Sequence, residues 1–249
     1  MGASETARHY DRLDRFYRQL WGEHVHHGLW ADPDWSPERA VRHLVERVAR
    51  EARLTAGDRV VDIGCGYGAP ARLWAEAYGV HVTGFTVSEA QAAFARRRAE
   101  GVDGPVPDIR LQDILDNSLP DASADAVVAV ESLTHIDPPQ SALQEAARLL
   151  RPGGRLVVLE FPPPPKGPFG WAFRLYFLRI LPFLGGLVTG HPGAYGYLPQ
   201  STLAFPPPEA LATRMEAAGF DAVTYRTLTF GVAALHVADV APHPTEVPA

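Results

Sequence analysis

In Val60-Val-Asp-Ile-Gly-Cys-Gly-Tyr-Gly68 an acidic residue sits near the end of a β-branched apolar run, and three glycines follow at alternate positions. A short apolar run of this kind reads as a buried strand, and the glycines let the strand-to-helix turn come close to a ligand with no Cβ in the way. A Gly-rich turn alone fits a dinucleotide site or a plain tight turn. Here the spacing is G-x-G-x-G rather than G-x-G-x-x-G, Asp62 precedes the glycines, and the next strand runs into Gly84-Phe-Thr-Val-Ser88 with no acidic ribose ligand. An NAD-dependent oxidoreductase is disfavoured on those three counts.

Outward from that turn the chain alternates short apolar runs with amphipathic stretches. Arg59–Ile63, Val80–Gly84, Ala126–Val130 and Arg155–Leu159 read as buried parallel strands. Between them Ala69–Tyr78, with Pro70 near the first helical position, Ser88–Glu100, with Ser88 as N-cap, and Pro139–Leu150 read as helices. The alternation implies a doubly wound, Rossmann-like α/β sheet. Before this core lie an aromatic and His-rich segment, Tyr10–Trp30, and a helix from about Pro37 to Arg53. After it come an irregular region, Pro162–Pro208, a helix over Pro208–Ala218, and strands near Ala222–Thr229 and Val232–Val240. The tail after Pro242 is expected to be disordered.

With 249 residues, a net charge of −6, 46% hydrophobic and 21% charged residues, the composition is that of a soluble globular protein able to bury its own core. Cys65 is the only cysteine, so no internal disulfide forms and a reducing, cytoplasmic setting is expected. The 23 basic residues are dispersed, which argues against nucleic acid. The N-terminus lacks a signal-type apolar stretch, and the most apolar segment, Leu175–Val188, is broken by Arg179 and Pro182 and is too short for a membrane span. A homodimer is left open.

Four segments carry a resemblance: Val60–Gly68, Gly84-Phe-Thr-Val-Ser-Glu-Ala-Gln91, Gln112-Asp-Ile114 and Val130-Glu-Ser-Leu-Thr-His-Ile136. Together they resemble class I small-molecule methyltransferases, whose donor is S-adenosylmethionine (SAM). The Thr-x-Ser-x-x-Gln pattern and the upstream Trp21-Gly-Glu-His-Val-His-His-Gly-Leu-Trp30 are similar to the branch holding cyclopropane-fatty-acid synthases, tocopherol methyltransferases and antibiotic-sugar O-methyltransferases. Further on, Leu150–Leu156, Leu181–Gly185, Ala194–Ser201, Glu216–Phe220 and Leu228–His236 resemble the ubiquinone/menaquinone biosynthesis C-methyltransferases. Those enzymes usually carry an Arg-Asn pair after the fourth strand. This chain has Glu131-Ser-Leu-Thr-His135, which argues against a respiratory quinone head group.

The resemblance implies a single domain over 1–249, with an N-terminal helical lid (1–55), a SAM-binding core (56–161), a substrate-pocket insert (162–208), a final helix and strands (209–240) and a tail (241–249). It implies that Asp62, Gly64, Gly66 and Gly68 line the methionine end of SAM, Thr86 and Gln91 the ribose, and Asp113 with Ile114 the adenine. A carboxylate can accept from an ammonium or amino group, and Ile114 can pack on a ring face; for Asp113 a turn cap is the alternative.

Methyl transfer needs in-line approach, exclusion of water and removal of a proton from the acceptor. The carboxyl ends of the strands would hold Glu131, His135 and Glu160 at the mouth. His135 is the first candidate base, since imidazole titrates near neutrality and the matching segment of the antibiotic-sugar enzymes carries catalytic histidines. Glu131 is the second. Glu160 could orient His135, act as base, or simply accept from a backbone amide. Tyr10, Tyr17, Trp21 and His26 would form the lid, with core packing as the alternative for the aromatics. His24, His26 and His27 lack Cys or carboxylate partners at ligand spacing, so no metal is expected. The insert, including Tyr195 and Tyr197, would supply an apolar wall for a small hydrophobic acceptor in specialised metabolism. C-methylation is favoured over O-methylation of a natural product; a SAM-fold cyclase that transfers no methyl is the rival.

Overall fold

A computed structural model describes residues 3–180, 183 and 197–242. Seven strands form one sheet in the order β3-β2-β1-β4-β5-β7-β6. These are β1 (Arg59–Ile63), β2 (His81–Thr86), β3 (Asp108–Leu111), β4 (Ala124–Val130), β5 (Leu150–Glu160), β6 (Asp221–Leu228) and β7 (Ala233–Asp239). The first five are parallel; β7 inserts antiparallel between β5 and β6. The order reverses at β1, between its neighbours β2 and β4, and such a switch point opens a crevice at the carboxyl ends of the strands.

The strands read as continuous apolar runs because both faces are covered. Val60, Ala126, Val128 and Val157 pack with α2 (Pro37–Glu51) and α3 (Ala69–Tyr78), where the fully buried Trp74 donates its indole N–H to the Val45 carbonyl at 3.0 Å. Val61, Ile63, Val127, Leu156 and Val158 face the other way, onto α5 (Pro139–Leu149) and a C-terminal helix over Pro208–Ala217. Ser36 caps α2 by accepting from Arg39 N–H at 3.3 Å, ahead of Pro37.

The N-terminal segment is a helix, α1 (Ala3–Leu20), laid over α4 (Glu89–Ala99). Asp11 on α1 accepts from the Ser88 hydroxyl at 2.5 Å and the Ala90 N–H at 3.1 Å, so one carboxylate joins α1 to the start of α4. Asp14 accepts from the Tyr67 hydroxyl at 2.9 Å.

Two features depart from the sequence reading. β3 was not expected: Asp108-Ile-Arg-Leu111 holds no apolar run, yet it pairs with β2 from Thr83↔Asp108 to Thr86↔Leu111 as an edge strand. The insert, expected as a pocket wall, forms α6 (Pro168–Leu175), a turn of π-helix over Tyr176–Ile180 and α7 (Tyr197–Ala204), which precedes the C-terminal helix, α8 (Pro208–Ala217). On α6, Phe169 and Trp171 face solvent, and no described residue of 162–208 lines the cavity below. Tail residues 243–249 lie outside the described residues.

Candidate active site

A cavity of about 310 Å³ lies at the carboxyl ends of β1, β2 and β4, roofed by α1 and the loop that follows it. That volume is at the lower end of the range for cofactor and ligand sites, which starts near roughly 300 Å³. Its floor is the Gly-rich turn. Gly64 holds φ +74°, and a Cβ there would meet the Ser132 Cβ at 2.5 Å. Gly66, at φ +54°, has nothing within 4 Å of the place a Cβ would take, so its backbone borders open space.

Asp62 is buried at the cavity wall, and its Oδ2 has no hydrogen-bond partner. Burial pushes its carboxyl up to about 7. An unpaired buried acceptor is costly, and a cationic donor brought into the cavity would relieve that cost. The amino acid end of SAM carries such a group, so the orphaned oxygen fits the cofactor. At the end of β2 the Thr86 hydroxyl donates to Gln91 Oε1 at 2.8 Å and accepts from Ser88 N–H at 3.3 Å; both side chains are buried against the cavity. Buried Ile114 gives an apolar wall beside Asp113, whose Oδ1 caps the Leu115 N–H at 3.0 Å, the capping role foreseen as its alternative.

Glu131 and His135 reach the same cavity from the segment after β4. Glu131, at φ +52°, accepts from the His27 N–H at 2.9 Å and from His27 Nδ1 at 3.0 Å. Burial alone would raise its carboxyl; the imidazole and these hydrogen bonds hold it below the usual carboxylate range. The His135 Nε2 lies 3.1 Å from the Tyr10 hydroxyl of the lid, and the Thr6 hydroxyl donates to the His135 carbonyl at 3.5 Å. Burial, reinforced by His9, depresses His135 to about 4, so its imidazole is neutral at neutral pH but a weaker base than the near-neutral imidazole expected from sequence. His26 is buried in the cavity wall, donating through Nδ1 to the His27 carbonyl at 3.0 Å, with Nε2 at 2.9 Å from His24 Nδ1.

Four expected residues do not line the cavity. Gly68 instead permits close packing, since a Cβ there would lie 3.0 Å from that of Ala95 on α4. Glu160 sits behind the wall: its Oε1 accepts from the N–H groups of Leu133 at 2.6 Å and Thr134 at 3.3 Å, and burial with the nearby Glu131 charge raises it to about 8. It is the backbone partner among the three roles foreseen, holding the strand-end segment that carries Glu131 and His135. Tyr17 lies a layer out, with its hydroxyl 3.1 Å from His9 Nε2, and Trp21 packs edge-on against His27 while still 36% exposed. Tyr195 lies outside the described residues, and of Tyr197 only its place at the start of α7 is described.

Some cavity residues have no role assigned from sequence: Thr6, and Glu23, Gln112 and Ser132, which lie within the quoted segments. Ser132 donates to the Ile63 carbonyl at 2.5 Å, tying the end of β1 to the segment after β4. The pairing of His27 with Glu131 spans 104 positions and has no local signal in the sequence. Among the described residues no group of three or more His, Cys, Asp or Glu is placed to hold a metal ion.

A mixed sheet of five parallel strands and an antiparallel pair, with its cavity at the switch point, an acidic residue ahead of an alternating-glycine turn and polar side chains at the end of the second strand define a class I SAM-dependent methyltransferase. Residues 40–239 match the ubiE/COQ5 methyltransferase family, and the chain belongs to it. It is 44% identical over 237 residues to the demethylmenaquinone methyltransferase of Thermus thermophilus, covering 95% of this chain and 98% of that one. It is 43% identical over 161 residues to the 27-O-demethylrifamycin SV methyltransferase of Amycolatopsis mediterranei, covering 64% of this chain and 58% of that one. The crystal structure of the cyclase SpnF shares the fold, with a TM-score of 0.77 at 22% identity over 96% of each chain. The protein is thus an enzyme that uses SAM.

Proposed function

We propose that the enzyme methylates carbon of a small hydrophobic acceptor, aromatic and quinol-like or isoprenoid-like, in specialised metabolism. The observation that carries this reading is the pairing, in one cavity, of a neutral imidazole at His135 with a fixed carboxylate at Glu131 among apolar walls from Ile63, Phe85, Val130 and Ile136. Glu131-Ser-Leu-Thr-His135 in place of an Arg-Asn pair supports an acceptor other than a respiratory quinone.

When bound, SAM supplies an electrophilic methyl group on a sulfonium. Asp62 would accept from its ammonium, Thr86 and Gln91 would hold the ribose end, and Ile114 would pack on the adenine. His135 takes the acceptor proton as the methyl bond forms, and the Glu131 carboxylate stabilises the resulting imidazolium. Tyr10 holds the ring in place from the lid, and α1 keeps water out. Glu160 acts indirectly, through the backbone of Leu133 and Thr134.

A second reading, O-methylation of a natural product, is favoured by the similarity to the rifamycin-modifying enzyme. Incubation with methyl-labelled SAM and phenolic, quinol and prenylated acceptors, followed by NMR location of the new methyl, tests both. A methyl on carbon supports the proposal; a methyl on oxygen replaces it with the second reading. Acceptor conversion without methyl incorporation would overturn both in favour of a cyclase.

A further inference from the structure

The aromatic residues of the insert that do not line the cavity form an exposed patch. Phe169, Trp171, Leu175, Tyr176 and Ile180 are between 43% and 69% exposed, and Phe230, at the tip of the β6–β7 turn, is 86% exposed. Phe230 holds φ +56°, a strained conformation for a bulky side chain, and its ring lies 5.7 Å from that of Phe169. The patch is a built surface. A Cβ at Gly170 would fall 1.6 Å from the Pro165 carbonyl oxygen, so α6 is seated hard on the proline run, and Gly231 comes against the other side of Pro165. Pro165 thus lies close to both α6 and the β6–β7 turn, on which Phe169, Trp171 and Phe230 are exposed.

Charge is distributed unevenly around it. The whole chain carries −6, yet residues 161–208 contain Lys166, Arg174 and Arg179 and no Asp or Glu. All three cations are exposed. Lys166 is the only lysine of the protein. Register fixes where this surface lies. Glu160 at the carboxyl end of β5 pairs with Ala234 near the start of β7, so the turn bearing Phe230 projects from the same edge of the sheet as the cavity.

We infer that this face is a membrane-docking surface, in which Trp171, Phe169 and Phe230 enter the interface of an anionic bilayer while Lys166, Arg174 and Arg179 meet its headgroups. Exposed aromatics beside cations are the pattern of elements that lie in the interface without crossing it. No helix among the described residues is long and apolar enough to span a bilayer, so the contact is peripheral. Docking by this face turns the cavity edge of the sheet toward the lipid, the phase in which hydrophobic acceptors concentrate. The inference rests on the proposed hydrophobic acceptor, not on which of its atoms is methylated.

The test is co-sedimentation of the full chain with vesicles of phosphatidylcholine alone and of phosphatidylcholine mixed with phosphatidylglycerol, at low and high salt. The protein is expected to bind the mixed vesicles, to be released by salt, and to bind pure phosphatidylcholine weakly. Each cation near the surface is worth on the order of five-fold in partitioning, so Arg174→Gln/Arg179→Gln should lower binding by about 25-fold. Phe169→Ser/Trp171→Ser should remove it while SAM binding, read by calorimetry, shows the fold intact. Absence of binding to mixed vesicles, or equal binding by wild type and both variants, overturns the inference. So does sedimentation equilibrium showing a dimer that Trp171→Ser dissociates, which would make a second copy of this chain the occupant.

Discussion

One residue, His27, gives the Glu131 carboxylate two hydrogen bonds, from its backbone N–H at 2.9 Å and from Nδ1 at 3.0 Å. The pair ties the loop after α1 to the cavity and raises the imidazole: burial pushes His27 down, but the Glu131 charge and hydrogen bond outweigh it. Glu131→Gln keeps the shape and removes the charge. The His27 titration, followed by NMR, should then fall from above 6.5 to that value or below. Stability should drop by no more than about 1 kcal/mol, because His27 is half exposed and water replaces the lost charged acceptor.

His135→Ala should lower kcat about 10²–10⁴-fold, the range for loss of a general base, with little change in SAM affinity. Tyr10→Phe removes only the hydroxyl that holds the imidazole and should cost less. Turnover of a confirmed acceptor within a few-fold of wild type in His135→Ala would remove it as the base.

In the role proposed for it Asp62 would accept the SAM ammonium only as the anion, and burial raises its carboxyl to about 7. SAM affinity should therefore weaken by about tenfold for each pH unit below 7 and level off above it. Calorimetric titrations in buffers of different ionisation enthalpy should also report proton release on binding below pH 7. Asp62→Asn should bind more weakly and lose this pH dependence.

The buried groups also set how stability varies with pH. Asp62 and Glu160, raised to about 7 and about 8 from 3.8 and 4.5, stay protonated in the native state after the unfolded chain has lost those protons. Each contributes stability at low pH that is lost as pH rises through its native value. His24 and His135, depressed to about 4 from 6.5, act in the opposite sense, losing stability as pH falls from 6.5 toward 4. Below about 6.5 the two sets oppose each other; above it these acids act without that opposition. Urea midpoints should accordingly fall between about pH 6.5 and 8, and Glu160→Gln should flatten that decline while keeping an acceptor for Leu133 N–H.

Gly64→Ala combines a left-handed φ of +74° with a Cβ only 2.5 Å from that of Ser132. It should destabilise the protein by more than about 1 kcal/mol and weaken SAM binding, read as a lower Tm and a smaller Tm increase on adding SAM. Gly66→Ala meets strain without the clash and should cost less stability.

What the sequence determined by itself was whatever repeats locally. The β-branched runs at 59–63 and 126–130, the helix cap at Ser88 and the glycines after Asp62 each carry their meaning within a few residues, so the sheet and the turn that floors the cavity were legible. Edge strand β3 was not, because Asp108–Leu111 is strand only by virtue of pairing with β2. Nor was the sorting of the site. The sequence left Glu160 open among base, orienting group and backbone acceptor, and only the tertiary structure makes it a brace for the backbone of Leu133 and Thr134 while Glu131 and His135 stay at the cavity. The same holds for the insert. Its aromatic composition is visible in the chain, but whether those rings face a pocket or solvent was decided by the close seating of Gly170 on Pro165, a contact between backbones that no periodicity encodes.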